Sequence, residues 1–464
     1  MAAVTVPGVD GSAISYTNVF TTLQNQTLAQ DIANALAFYL NGDPLNTQSY
    51  VPGSTPAAVP GDANQLLVTA SSDNGTVFTP AGYTFVTDNT GGGSFTVIGA
   101  QNFIGGNGNL TVWDTVGATS IGGGIDTIAA GNGNDLFGLS AGSTYAVAAG
   151  NGNDTFYANG TGTVADGSGR DLIFVGSASG TNLVLSHGTD TVIAGQGANT
   201  VATYGTDPLV FGGTGSLEVF GNNAVNETVV GGSGSETIFG AQSGVYFLGS
   251  SNSLFIDNSS ASSTIVGTTG RETAFGGTSS HEVIFGNSSS LLFVSGSSDS
   301  STIVGGASPS TLFGSAGSAI TYFSTSSAGG ALYAAGSGNE TLNAAGSTTN
   351  NTMFGGVDAT AGNSLVGGSG NDTYVVGTGS DTMVGGSGAN VFAFDNGHAG
   401  GNDFITGYNA RDVVGLFGYG GGAGATALAT ATVAGGNTTI ALADHTKITF
   451  ENVSSPSAIH IIST

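Results

Sequence analysis

A glycine-rich turn closed by a carboxylate, with an apolar residue two positions on, recurs along the chain and constrains its fold more than any other feature. The fullest copies are Gly131-Asn-Gly133-Asn-Asp135-Leu-Phe137, Gly150-Asn-Gly152-Asn-Asp154-Thr-Phe156 and Gly167-Ser-Gly169-Arg-Asp171-Leu-Ile173. Two more lie later, Gly367-Gly368-Ser-Gly370-Asn-Asp372-Thr-Tyr374 and Gly377-Thr-Gly-Ser-Asp381-Thr-Met383. Shorter forms end at Asp126 and Asp190. Asp126 to Asp135 is a step of nine, as is Asp372 to Asp381, whereas Asp135, Asp154, Asp171 and Asp190 follow one another at 19, 17 and 19.

A short strand and its turn take about nine residues, so one coil of two strands takes about 18. Carboxylates about 18 apart then share an edge of a solenoid, and those about nine apart lie on opposite edges. Asn390, 18 beyond Asp372, belongs to the edge of Asp372. Glycines give the turns positive φ and let carbonyls converge. A hard cation that needs six or more oxygens can draw on those carbonyls and on an Asp from each neighbouring turn. The candidate ligands of such a cation are therefore Asp126, Asp135, Asp154, Asp171, Asp190, Asp372 and Asp381, with Gly131, Gly133, Gly150, Gly152, Gly167, Gly169, Gly368 and Gly370. The apolar residues Phe137, Phe156, Ile173 and Val192 are expected to point inward.

The repeat resembles the nonapeptide of the repeats-in-toxin (RTX) family, Gly-Gly-x-Gly-x-Asp-x-apolar-x, a calcium-binding haemolysin-type repeat. The resemblance is close over roughly 365–464 and looser over 120–365. It implies an all-β chain built as a right-handed parallel β-roll or β-helix solenoid. The expected divisions are an α+β N-terminal cap or docking segment at 1–95, the roll at 96–395, and a β-rich C-terminal region at 396–464. Through the resemblance, that last region carries an uncleaved type I export signal, so the type I secretion machinery is an expected partner.

Over about 200–365 the ligand changes. Glu236, Glu272 and Glu340 stand where Asp is expected, and some Ser-rich coils carry no acid at all. These Glu residues, with Asn390 and Asp403, are secondary candidates; a metal-free coil held by its backbone ladder is the alternative. At the N-terminus, apolar residues near a 3.6 period predict one helix over about 16–40, ended by Asn41-Gly42-Asp43-Pro44. Alternating runs at 65–69, 76–78, 83–86 and 94–98 read as strands. Near the other end, Ala-Gly435-Gly436-Asn between apolar runs reads as a β-hairpin.

Charge and missing motifs narrow the function. Four Lys plus Arg against 30 Asp plus Glu give a net charge of −26. No basic footprint for nucleic acid can be assembled, and no apolar run approaches a membrane span, so neither nucleic-acid binding nor membrane insertion is expected. Self-repulsion of this size favours bound cations. There is no Cys. The five His form no His-Glu-x-x-His, no Gly-x-Ser-x-Gly elbow occurs, and the one Lys excludes a P-loop. The chain reads as a non-enzyme: a secreted, extracellular or cell-surface structural protein of a surface layer, biofilm or filament, assembling with itself through its ends or edges. An adhesin binding a cell-surface glycan is the alternative, and a polymer hydrolase with an unrecognised site is a third reading.

Overall fold

Strands of three to six residues, separated by turns of Gly, Ser and Asn, are too short to bury a core as hairpins, and stacking is what hides their apolar side. The computed structural model describes residues 109–464, apart from 114–124, 140, 177–179, 258–259, 261, 288–289 and 326–329, together with short strands within 4–104. The chain packs as two compact units, 1–235 and 236–464. Each is a solenoid in which every second strand pairs in parallel, so two sheets run side by side.

In the first unit one sheet runs through Leu136–Leu139, Thr155–Ala158, Leu172–Val175, Thr191–Ala194, Leu209–Phe211 and Glu227–Val230. The register stacks Phe137, Phe156, Ile173, Val192, Val210 and Val229 in one column, all buried. The facing sheet stacks Val147, Val164, Val184, Val201 and Val219. Burial of each such side chain contributes roughly 1.5–3 kcal/mol. The rings of Phe137 and Phe156 stack at 4.7 Å, the separation of neighbouring coils. The inward placement expected for Phe137, Phe156, Ile173 and Val192 is thus observed.

Glycine is required where coils touch at the turns. A Cβ on Gly152 would lie 1.5 Å from the carbonyl oxygen of Gly133, and one on Gly169 would lie 1.5 Å from that of Gly152. The parallel ladder reaches back to Thr47–Tyr50, which pairs with Gln65–Val68, inside the stretch assigned to the N-terminal cap. Val4–Pro7 and Ala13–Tyr16 form a separate antiparallel pair. Apart from Tyr16, the helix expected over 16–40 lies outside the described residues.

In the second unit the inward columns hold Ile238, Phe255, Ala274, Phe293, Leu312, Tyr333, Met353, Tyr374 and Phe392 on one sheet, all buried. Its C-terminal end departs from the coil pattern. Thr432–Ala434 and Asn437–Ala441 form the expected hairpin around Gly435 and Gly436, both at positive φ. Asn437–Ala441 continues antiparallel onto Lys447–Phe450, which pairs in parallel with Asn402–Thr406. Ile461–Ser463 covers the edge of Val413–Phe417. A seven-residue helix, α1 (Ala423–Ala429), lies among these elements, within the region expected to be β-rich.

Candidate metal centre

Asp135, Asp154, Asp171 and Asp190 each precede a strand of the first unit's ladder, and their side chains form a column. The backbone N–H of Leu110 donates to Asp135 Oδ1 at 2.7 Å, that of Asp135 to Asp154 Oδ1 at 2.8 Å, and that of Asp154 to Asp171 Oδ1 at 2.6 Å. Asp171 N–H donates to Asp190 Oδ1 at 3.0 Å. The coil spacing of 17 to 19 therefore brings these four carboxylates onto one edge. Beside them, Asn134 N–H donates to Asn109 Oδ1 and Asn153 N–H to Asn134 Oδ1, both at 2.8 Å. The Asn of the turn thus ties coils together, while Gly131, Gly133, Gly150, Gly152, Gly167 and Gly169 let the turns stack in contact.

One oxygen of each carboxylate is used by the backbone, and the other is where the column becomes chemically demanding. Asp135, Asp154 and Asp171 are buried, and their Oδ2 atoms have no hydrogen-bond partner. Asp190 Oδ2 accepts from Ser186 Oγ at 2.7 Å and from Gly188 N–H at 2.8 Å. Burial above all, against the lowering effect of the Leu110 N–H, pushes the Asp135 carboxyl up to about 7, and Asp171 adds to the rise. Burial and the Asp135 charge push Asp154 up to about 8. Asp171 rises to about 8, chiefly by burial, with Asp154 and Asp190 adding to it. A column of this kind is held together by protons or by cations. Its all-oxygen donor set suits a hard divalent ion.

The second unit arranges its acids differently. Asn351, Asp372, Asn390 and Asp412 form one column. Each N–H donates to the next side chain's Oδ1: Asn351 to Asp372 and Asn390 to Asp412 at 2.8 Å, and Asp372 to Asn390 at 2.9 Å. The Asn351 and Asn390 amides donate again to the same Asp oxygens, at 2.8 and 3.0 Å. Asp372 Oδ2 accepts Gly368 N–H at 3.0 Å, and Asp412 Oδ2 accepts Asn409 N–H at 2.8 Å. The opposite edge stacks Glu340, Asn363, Asp381 and Asp403 through N–H donation to Asn363, Asp381 and Asp403 Oδ1. Asp372 and Asp381 therefore occupy opposite edges, and Asn390 shares that of Asp372, as their spacings imply. Asp403 repeats the situation of the first unit, its Oδ2 without a partner and burial pushing it up to about 8, as do Asp299, raised by burial to about 7, and Glu340 through Oε2. Gly370 packs against the preceding turn, where a Cβ would lie 2.2 Å from Thr349 O.

Glu272 and Glu340 fold back onto their own turns, and Glu236 reaches forward to the turn of the next coil. Glu236 Oε2 accepts Gly249 N–H at 2.8 Å, Glu272 Oε1 accepts Thr268 N–H at 2.9 Å, and Glu340 Oε1 accepts Gly336 N–H at 2.9 Å. Glu272 and Glu340 cap their turns through the same kind of N–H, four residues back, that Asp372 takes from Gly368, a contact that the alternative of a metal-free coil uses. Asp126 differs from the other candidates in register. Its backbone lies inside the strand Ile125–Ala129, paired with Tyr145, and does not precede a strand; its side chain lies outside the described residues.

Residues that the repeat did not reveal complete the picture. Asn351 and Asn363 sit just before Thr-Met-Phe and Ser-Leu-Val, and a search for any amide or acid at that place would have found them. Asp166 occupies the place of Ala130 and Ala149 in the preceding coils, and it is fully buried. Among the described residues, no helix is long and apolar enough to cross a membrane. Compared with known protein families and with curated proteins, the chain matches no family model and no curated relative.

Proposed function

We propose that the chain is a calcium-stabilised structural solenoid of the RTX type, exported to the cell surface or extracellular matrix, where it assembles with itself. The observation that carries this reading is the first unit's column: Asp135, Asp154 and Asp171 each present a buried carboxylate oxygen with no partner. Only four Lys plus Arg are available in the whole chain to neutralise 30 acids. Asp135, Asp154, Asp171 and Asp190, with carbonyls of the turn glycines, would hold calcium there. The ion supplies positive charge and an oxygen-seeking coordination shell; the protein supplies stacked turns that fix the carboxylates on one edge. Because binding free energy becomes folding free energy, such a chain folds where calcium is abundant and stays loose where it is scarce. That suits a protein exported before it folds.

Assembly is supported by the second unit's outward rows. Phe247, Phe285 and Phe323, each about 40% exposed, alternate with Val266 and Val304 down one sheet. Single exposed apolar residues need no explanation, but a regular row of them is a contact surface. Electron microscopy of the purified chain in calcium and in chelator tests the proposal. Ordered filaments or sheets in calcium that disperse in chelator are expected. A monomer folded equally well in both would overturn it.

A further inference from the structure

The column ends in a cluster that the repeat does not produce. Asp166, Asp171 and Asp190 each offer a carboxylate oxygen, and the three oxygens lie within 4.8 Å of one another. Asp166 and Asp190 are at most 1% exposed, and Asp171 is 3% exposed with its Oδ2 lacking any hydrogen-bond partner. The His187 imidazole stands at the same place. Its Nδ1 lies 3.6 Å from Asp166 Oδ1 and makes no hydrogen bond, while its ring stacks on Tyr204 at 4.8 Å. His187 N–H donates to Asp166 Oδ1 at 2.8 Å, which holds the acid against the ring. Ser186 Oγ and Gly188 N–H orient Asp190 from the other side.

We propose that Asp166, Asp171, Asp190 and His187 form a site for a first-row divalent ion such as Zn2+, set apart from the oxygen-only positions of the column by its nitrogen ligand. Three carboxylates this close do not coexist as anions in a buried place without a compensating charge. His187 Nδ1 makes no hydrogen bond, so in the neutral ring its lone pair is available to a metal. Imidazole selects first-row ions such as zinc, and calcium takes oxygen ligands. The inference shares Asp171 and Asp190 with the calcium reading and does not rest on it.

Calorimetric titration of the full chain with Zn2+, in calcium-free and in calcium-saturated buffer, against Asp166→Ala and His187→Gln, tests the assignment. Ala is what the two preceding coils carry at this place, in Ala130 and Ala149, so the first variant keeps a residue the fold already accepts. The wild type is expected to bind one more zinc per chain than Asp166→Ala. His187→Gln should weaken that zinc at least ~10-fold, in the range seen when a metal site loses part of its shell, and leave calcium binding unchanged. Visible absorption of Co2+ bound in place of zinc should change with His187→Gln. Equal zinc binding in the wild type and Asp166→Ala, or no effect of His187→Gln, overturns the proposal. Because calcium is titrated separately, failure here is distinguishable from failure of calcium binding along Asp135 and Asp154.

Discussion

At one place in each coil, Asp and Asn make the same backbone contact and differ in what they do next. Asp154 Oδ1 accepts Asp135 N–H much as Asn390 Oδ1 accepts Asp372 N–H. The Asn then has an N–H to give: Asn390 donates it to Asp412, whereas Asp154 presents Asp171 with a second negative charge. Asp154→Asn should therefore stabilise the calcium-free chain at pH 8 by about 1–2 kcal/mol, by removing a like charge and adding a hydrogen bond. It should also reduce the stabilisation gained from calcium, and urea unfolding with calcium and with chelator would show both effects. Glycine allows a second forecast at this scale. Gly152→Ala puts a methyl into the Gly133 carbonyl and should cost roughly 3 kcal/mol or more, since backbone cannot yield as a side chain can. Gly436→Ala meets nothing within 4 Å and should cost only about 1–2 kcal/mol, the strain of its positive φ. Thermal unfolding of the two variants checks the ranking. The repeat made the Asp positions legible because a fixed offset survives in sequence. It hid Asp166, whose meaning depends on Asp171 and Asp190 being brought beside it by the coils.

At the scale of the element, the aspartate column has a pH dependence whose sign can be worked out. An Asp titrates near 4 when unfolded. In the folded chain burial raises Asp135 to about 7 and Asp154 and Asp171 to about 8. The folded state binds more protons between those limits, so stability is fully present below about pH 4 and is lost as pH rises toward 8. In chelator, the melting temperature of the first unit should fall across that window. Calcium should flatten the fall, because a bound cation replaces the protons. A melting temperature in chelator that climbs from pH 5 to pH 8 would contradict the column's electrostatics. The strands and the hairpin at Gly435 and Gly436 were readable from alternation and from paired glycines, since both are local signals. Helix α1 was not. It begins at Gly422, in a left-handed conformation with no capping side chain, and runs for seven residues. What fixes it is packing: Gly424 lies so near Ile461 that a Cβ would come within 2.6 Å of its side chain, and Ala427 is buried. No residue near α1 in sequence announces that contact.

At the scale of the whole chain, the two units should answer calcium unequally, although both carry the repeat. A net charge of −26 repels itself throughout, and any salt screens that repulsion. Screening does not reach oxygens that are buried without partners. In the first unit those follow one another in consecutive coils at Asp135, Asp154 and Asp171, whereas in the second they occur at Asp299, Glu340 and Asp403, and Asp372 and Asp381 have amide donors on both oxygens. In the second unit Asn363 separates Glu340 from Asp381 and Asn390 separates Asp372 from Asp412, and with Asn351 they do in part what a cation would do. Hydrogen exchange followed in chelator, then in calcium, then in sodium chloride at matched ionic strength, separates the two effects. Chelator should speed exchange across 128–190 far more than across 363–395, and calcium should restore protection where sodium does not. Equal responses of the two segments would mean that general charge screening governs the chain and that the buried column has no special claim on the ion. A response confined to 363–395 would reverse the assignment and place the calcium-dependent coils where the Asn residues already satisfy the acids, an outcome incompatible with the electrostatics of these two columns.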